Sequence, residues 1–188
     1  MNPKNFHYLI LLLLLQSCSC IQFKLTKAER QWCSYKNNEM LIFKSNKGNI
    51  DTLKVSDRYE SYSNENCNYV EVSRKQINSL SVNLSLESKT KTALASNVSI
   101  TKNPDSEFSY PELNFFGLTS NLEHEKFMKE KVRLSTNHKI YDQVYVVRDS
   151  VNGQNIDSYL AAFYYDQEDG LIRYDAKDGE KFELLKRQ

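Results

Sequence analysis

Four cysteines, three histidines and a few clusters of carboxylates carry what reactivity this 188-residue chain has. Cys18, Cys20, Cys33 and Cys67 form no C-x-x-C pair, so neither a zinc site nor a thioredoxin-like dithiol is indicated. His124 and His138 are too far apart in sequence for an H-x-x-x-H pair. His124 stands between Glu123 and Glu125 on a polar segment, a setting that suits an exposed imidazole better than a general base. Asp166, Glu168 and Asp169 precede Gly170, but their spacing departs from the D-x-[DN]-x-[DN]-G calcium loop and the distal Glu is missing, so a solvated hairpin turn is expected. Asp175, Asp178 and Glu180 read the same way, and no metal site is expected. No G-x-S-x-G elbow, P-loop or dinucleotide fingerprint occurs, and the chain is therefore expected to be neither an enzyme nor a cofactor carrier. One constellation is left that suits a ligand. Tyr141, Tyr145, Tyr159 and Tyr165 are expected on one face of adjacent C-terminal strands, either as a platform for a glycan or acyl chain or as core under a covering helix.

The first residues speak of location. Lys4 precedes an apolar run of eight, residues 8–15, whereas a membrane-spanning helix needs about 20. The run has the length and flank of a secretory h-region. It leads into Leu15-Gln16-Ser17-Cys18, which resembles the lipobox of bacterial lipoproteins, with Leu three positions before the cysteine and a small residue directly before it. That resemblance implies that residues 1–17 are a signal peptide and that Cys18 becomes the acylated first residue. Several acyl chains anchor firmly because each buried methylene contributes about 0.8 kcal/mol. Cys20 fits the pattern less well, since Ser17 and Cys18 would then stand where an aliphatic and a variable residue belong. Ser rather than Asp at position 19, and no acidic cluster over 19–26, imply by the same resemblance an outer-membrane anchor facing the periplasm. The alternative is a plain signal peptide cut near Ser17 or Ser19.

Beyond residue 17 the formal charge is zero, which gives no support for nucleic-acid binding. Leu, Ile, Val and Phe make up about a quarter of that part, above the roughly 20 % below which chains tend to disorder. If Cys18 carries lipid, three cysteines are left, so at least one thiol stays over; in an oxidising compartment Cys33 and Cys67 could pair across a loop, which would be worth roughly 3 to 4 kcal/mol if the geometry fits. Residues 18–30 read as a lipidated tether with a helical turn around Lys27-Ala28-Glu29-Arg30, and residues 31–188 as a single antiparallel β domain.

Period-two alternation dominates that domain. Leu80, Val82, Leu84 and Leu86 alternate with Ser and Asn, the pattern of a half-buried strand. Residues 40–59 read as a hairpin, 94–100 as a strand, and 121–128 as helix or strand. Residues 158–165 are apolar on both faces, so that strand should be covered on both sides. Gly170 and Gly179 fall where turns need positive φ. The closing pattern Phe163-Tyr164-Tyr165, Gly170-Leu171-Ile172-Arg173-Tyr174 and Asp178-Gly179-Glu180 is similar to the tail of small lipoproteins of Bacteroidetes-type bacteria. That similarity implies a mixed or all-β fold and no particular activity. The expected fold is mainly β, an antiparallel meander forming a curved sheet or open barrel with at most one or two short helices. The expected role is that of a lipid-anchored cell-envelope protein, held to membrane lipid through acylated Cys18, that binds or assists another envelope protein without catalysis. A periplasmic lipid or lipoprotein carrier with a half-barrel cavity and a secreted β domain without lipid remain as alternatives.

Overall fold

A computed structural model describes residues 20–64, 75–87, 95–121, 131–136, 138–149 and 159–188. Twelve strands account for most of them: β1 Ile21–Phe23, β2 Met40–Ser45, β3 Ile50–Tyr62, β4 Lys75–Leu86, β5 Ala95–Thr101, β6 Glu112–Phe115, β7 Leu118–Asn121, β8 Lys131–Ser135, β9 Ile140–Arg148, β10 Leu160–Asp166, β11 Gly170–Ala176 and β12 Lys181–Arg187. Alternation drives their formation. In β4 every Leu and Val from Leu80 to Leu86 is buried while the intervening Ser and Asn are half-buried, because side chains in a strand point to opposite faces in turn.

The path through the sheet is β7-β6-β5-β4-β3-β2-β12-β11-β10-β9-β8. Strands β2 to β7 thus form one meander and β8 to β12 a second. The last strand joins the two by pairing antiparallel with β2, Leu184 opposite Phe43 and Arg187 opposite Leu41. Gln188 and Met40 complete the seam by exchanging backbone hydrogen bonds of 2.9 Å. The result is the expected mainly β architecture, a curled half-barrel. β1 lies off this path, parallel to the first three residues of β4.

The inner face is filled from the N-terminal side. Helix α1, Lys27–Arg30, opens with a capping box in which the Thr26 hydroxyl accepts from the Glu29 N–H and the Glu29 carboxylate accepts from the Thr26 N–H. A 3-10 turn over Gln31–Cys33 follows and sets Trp32 and Tyr35 into the main core. That core joins Phe43, Leu53, Leu84, Phe115, Phe163 and Tyr174 across both meanders. A second apolar cluster, Tyr141, Val144, Ala162, Tyr164 and Ile172, lies on the opposite face of the C-terminal meander. Strand β10 is therefore covered on both sides, as its sequence predicts.

Three expectations need correcting. Residues 20–30 are not a tether: β1 is hydrogen-bonded to β4, Leu25 is buried, and the Leu25 N–H donates to Asn78 Oδ1 at 3.2 Å. The Cys33–Cys67 disulfide is not formed, because Cys33 is a free thiol sealed in the core between the carbonyls of Leu80 and Val98. Among the described residues, Cys20 is the cysteine engaged in a disulfide. Tyr141 does not share a face with Tyr145. Between Val144 and Tyr141, β9 uses three residues where β8 uses two, and this bulge turns Tyr141 to the other side. A similar register shift between Leu160 and Ala162 leaves Ala161 exposed rather than inward. The signal peptide 1–17, Cys18, Cys67, His124 and residues 122–128 of the helix-or-strand segment lie outside the described residues.

Candidate functional site

Of the tyrosines singled out by sequence, Tyr141 and Tyr165 are buried, and Tyr145 and Tyr159 are half-buried against the main core. Tyr165 is fully buried and its hydroxyl donates to the Trp32 carbonyl, while its ring stacks on Trp32 with centroids 6.2 Å apart. Tyr145 meets the same indole edge-on at 5.0 Å, and Tyr159 packs half-buried at the margin of this cluster. Tyr141 belongs to the second cluster. Burial pushes the hydroxyls of Tyr141, Tyr145 and Tyr165 above their ordinary range, so all three stay neutral. The covering element is Trp32 with its short turn, whose burial a polar N-terminal stretch did not announce.

Polar groups lock this cover onto the sheet. Glu29 is fully buried, and its carboxylate accepts from Lys102 Nζ and the Ser109 N–H, each at 2.8 Å, as well as from the Thr26 N–H at 2.7 Å. Burial works to raise its pKa, but the hydrogen bonds from Lys102, Thr26 and Ser109 outweigh it and hold the value at about 2. Arg30 grips Glu60 with two bonds of 2.5 and 2.7 Å, and Asn78 beneath them accepts from Arg30 and donates to Glu60. At the far end of the segment Arg187 forms a two-pronged bond to Glu39 at 2.7 and 2.9 Å and lies 5.3 Å over the Tyr35 ring. The Tyr35 hydroxyl in turn accepts the Leu171 N–H at 2.8 Å.

Two surface clefts flank the cover and the seam. The larger, about 520 Å³, is lined by Lys27, Arg30, Gln31, Ser34, Lys36 and Arg58, with four cations and no carboxylate among its described lining residues. Arg30 is committed to Glu60, whereas Lys27, Lys36 and Arg58 have no ion pair among the described residues. Cys33 lies at its base, but burial pushes that thiol up to about 12, which leaves it protonated and inert. The signal for this cleft was present in the sequence: residues 20–37 contain Lys24, Lys27, Arg30 and Lys36 against the single acid Glu29. A net charge of zero hides such a local excess, and the buried Glu29 adds nothing to the surface.

The smaller cleft, about 290 Å³, lies between His138 and Lys44, Lys181, Glu183 and Leu185 of the β2–β12 seam. His138 belongs to the β8–β9 turn, whose strands are three and four places from β12 in the sheet. The turn therefore folds back over the outer face, fastened by Lys139 Nζ to Asp169 at 2.7 Å. Among the described residues no three His, Cys, Asp or Glu side chains gather as a metal site. No helix among them is long and apolar enough to cross a membrane. Comparison of the chain with protein-family models, with curated proteins and with solved structures finds no match.

Proposed function

We propose that this protein is a lipid-anchored, non-catalytic binding protein of the cell envelope, acylated at Cys18, that receives an acidic segment of a partner protein in the cleft between α1, residues 34–37 and Arg58. The observation that carries the binding role is the convergence of Lys27, Arg30, Lys36 and Arg58 in one cleft, with no carboxylate among its described lining residues and Glu60 paired to Arg30 alone. The anchor rests on Leu15-Gln16-Ser17-Cys18, and a disulfide at Cys20 accords with an oxidising compartment outside the cytoplasm. With Cys33 free and Cys18 bearing lipid, Cys67 is the cysteine left to pair with Cys20. The filled inner face, with Trp32, Tyr165 and Phe163 in contact with both meanders, favours a binding protein over a lipid carrier, which needs an apolar cavity.

Attraction of this kind is screened over about 8 to 10 Å at physiological salt and depends on several cations acting together. A fluorescent hexaglutamate peptide titrated into the detergent-purified protein should therefore bind saturably and weaken as salt is raised. The double variant Lys27→Glu with Arg58→Glu should lose about tenfold or more in affinity at an unchanged melting temperature. Equal affinity in that variant, or no saturable binding, would contradict the proposed role.

A further inference from the structure

We infer that the end of the sheet where β1 meets the start of β4 rests directly on the lipid bilayer, so that the domain is held upright on the membrane with no tether beneath it. The inference rests on acylation of Cys18. Only two peptide units separate Cys18 from Cys20, and two residues span at most about 7 Å even when extended. The fold takes hold of the chain at once. Cys20 is in a disulfide, Ile21, Gln22 and Phe23 pair with Lys75, Gln76 and Ile77, the Leu25 N–H is bonded to Asn78, and Glu29 is locked to Lys102 and Ser109. A lipid on Cys18 has its acyl chains in the hydrocarbon and its glycerol at the headgroups. Cys20 and the strand it leads into are therefore confined to the headgroup layer.

The surface found there suits that place. Ile21 is 60 % exposed, the most exposed large apolar side chain among the described residues. Lys24 is exposed beside it, and Lys75 Nζ lies 5.6 Å from the centre of the half-buried Phe23 ring. An exposed Ile21 with the exposed Lys24 three residues on suits a bilayer surface, with the apolar group entering the acyl boundary and the ammonium meeting anionic headgroups.

The strands then give the domain a direction. β3 runs antiparallel to β4, with Tyr62 opposite Asn78 at the membrane end and Leu53 opposite Leu86 toward the other. Its 13 residues extend for roughly 40 Å at about 3.3 Å each, which puts Ile50 and the β2–β3 turn far from the lipid. Arg58 is opposite Val82, seven residues along β4 from the Lys75 that faces Ile21, so Arg58 lies about 23 Å above the level of Ile21. A partner must then present its acidic segment close to the same membrane.

The test uses the acylated protein reconstituted in vesicles of phosphatidylethanolamine and phosphatidylglycerol carrying brominated acyl chains. Trp32 is buried and supplies a constant background in the unsubstituted protein. Ile21→Trp should add emission that is shifted to the blue and loses most of its intensity to the brominated lipid. Ile50→Trp, at a site 54 % exposed, should add emission that does not. Lys24→Trp repeats the membrane-end measurement should Ile21→Trp fail to fold. A ten-residue Gly-Ser insertion between Ser19 and Cys20 should relieve the quenching. Unquenched emission at both positions 21 and 24 in protein whose mass includes the acyl chains overturns the bilayer contact and leaves the anchor standing. A mass without acyl chains overturns both.

Discussion

Replacing Glu29 with alanine is expected to destabilise the domain by about 3 to 5 kcal/mol, because a buried ion pair that loses one partner leaves the other charge uncompensated. Lys102 would be left nearly buried without its carboxylate, and the Ser109 and Thr26 N–H groups would lose their acceptor at the same time. The pH dependence carries the same signature. The carboxylate is held at about 2 in the folded protein against 4.5 as its ordinary value, so below pH 4.5 the unfolded chain takes up the proton first. The stabilisation is thus complete above pH 4.5 and is lost as pH falls toward 2, amounting to about 3 kcal/mol. Glu39, Glu60 and Asp169 are also held below their ordinary values and add to the same acid limb. Urea titrations at pH 6 and pH 3 should show Glu29→Gln losing stability at the higher pH and differing less from the unsubstituted protein at the lower. An equal loss at both would mean that the ion pair contributes nothing beyond packing.

Gly170→Ala is expected to cost about 3 kcal/mol or more. Gly170 has φ +76°, and a β-carbon on it would come within 2.5 Å of Tyr35 Cζ. Tyr35 has no room to retreat, since it is buried, holds the Leu171 N–H at 2.8 Å and lies beneath the Arg187 guanidinium. Gly179 supplies the internal comparison, with φ +84° and nothing within 4 Å of a β-carbon. Gly179→Ala pays for backbone conformation alone and should cost about 1 kcal/mol. Melting temperatures of the two variants side by side read the difference directly. Equal shifts would show that the Tyr35 contact is not tight.

These two residues mark the line between what a sequence states locally and what only packing decides. The alternation of Leu80 to Leu86 is a property of neighbours and predicts β4, and the turns at Gly170 and Gly179 follow from glycine's access to positive φ. The two apolar faces of β10 likewise announce a strand covered on both sides. Nothing local announces that β12 returns to pair with β2 across 140 residues, because antiparallel partners are chosen by burial over the whole sheet. The same holds for the short strand β1, which lacks a periodic pattern and owes its place to the β4 edge and the Asn78 amide. The tyrosine face failed for a physical reason. One extra residue in β9 reverses every side chain beyond it, and Trp32 arrives from 110 residues upstream to cover what remains. An oxidising compartment made Cys33 and Cys67 candidate partners, while the apolar surroundings of the 3-10 turn drew Cys33 into the core as a thiol. The cationic cleft was readable as a local charge excess, which the inward turn of Glu29 leaves standing at the surface, with Glu60 taking up only Arg30 in an ion pair.

The intact mass of the protein purified from its own cells, with and without reductant, decides whether a lipid anchor at Cys18 stands two residues before the disulfide at Cys20. A chain starting at Cys18 should carry acyl mass and gain two hydrogen atoms on reduction, with Cys20 and Cys67 in one crosslinked peptide and Cys33 open to alkylation only after unfolding. A chain that starts elsewhere and carries no acyl mass would contradict it.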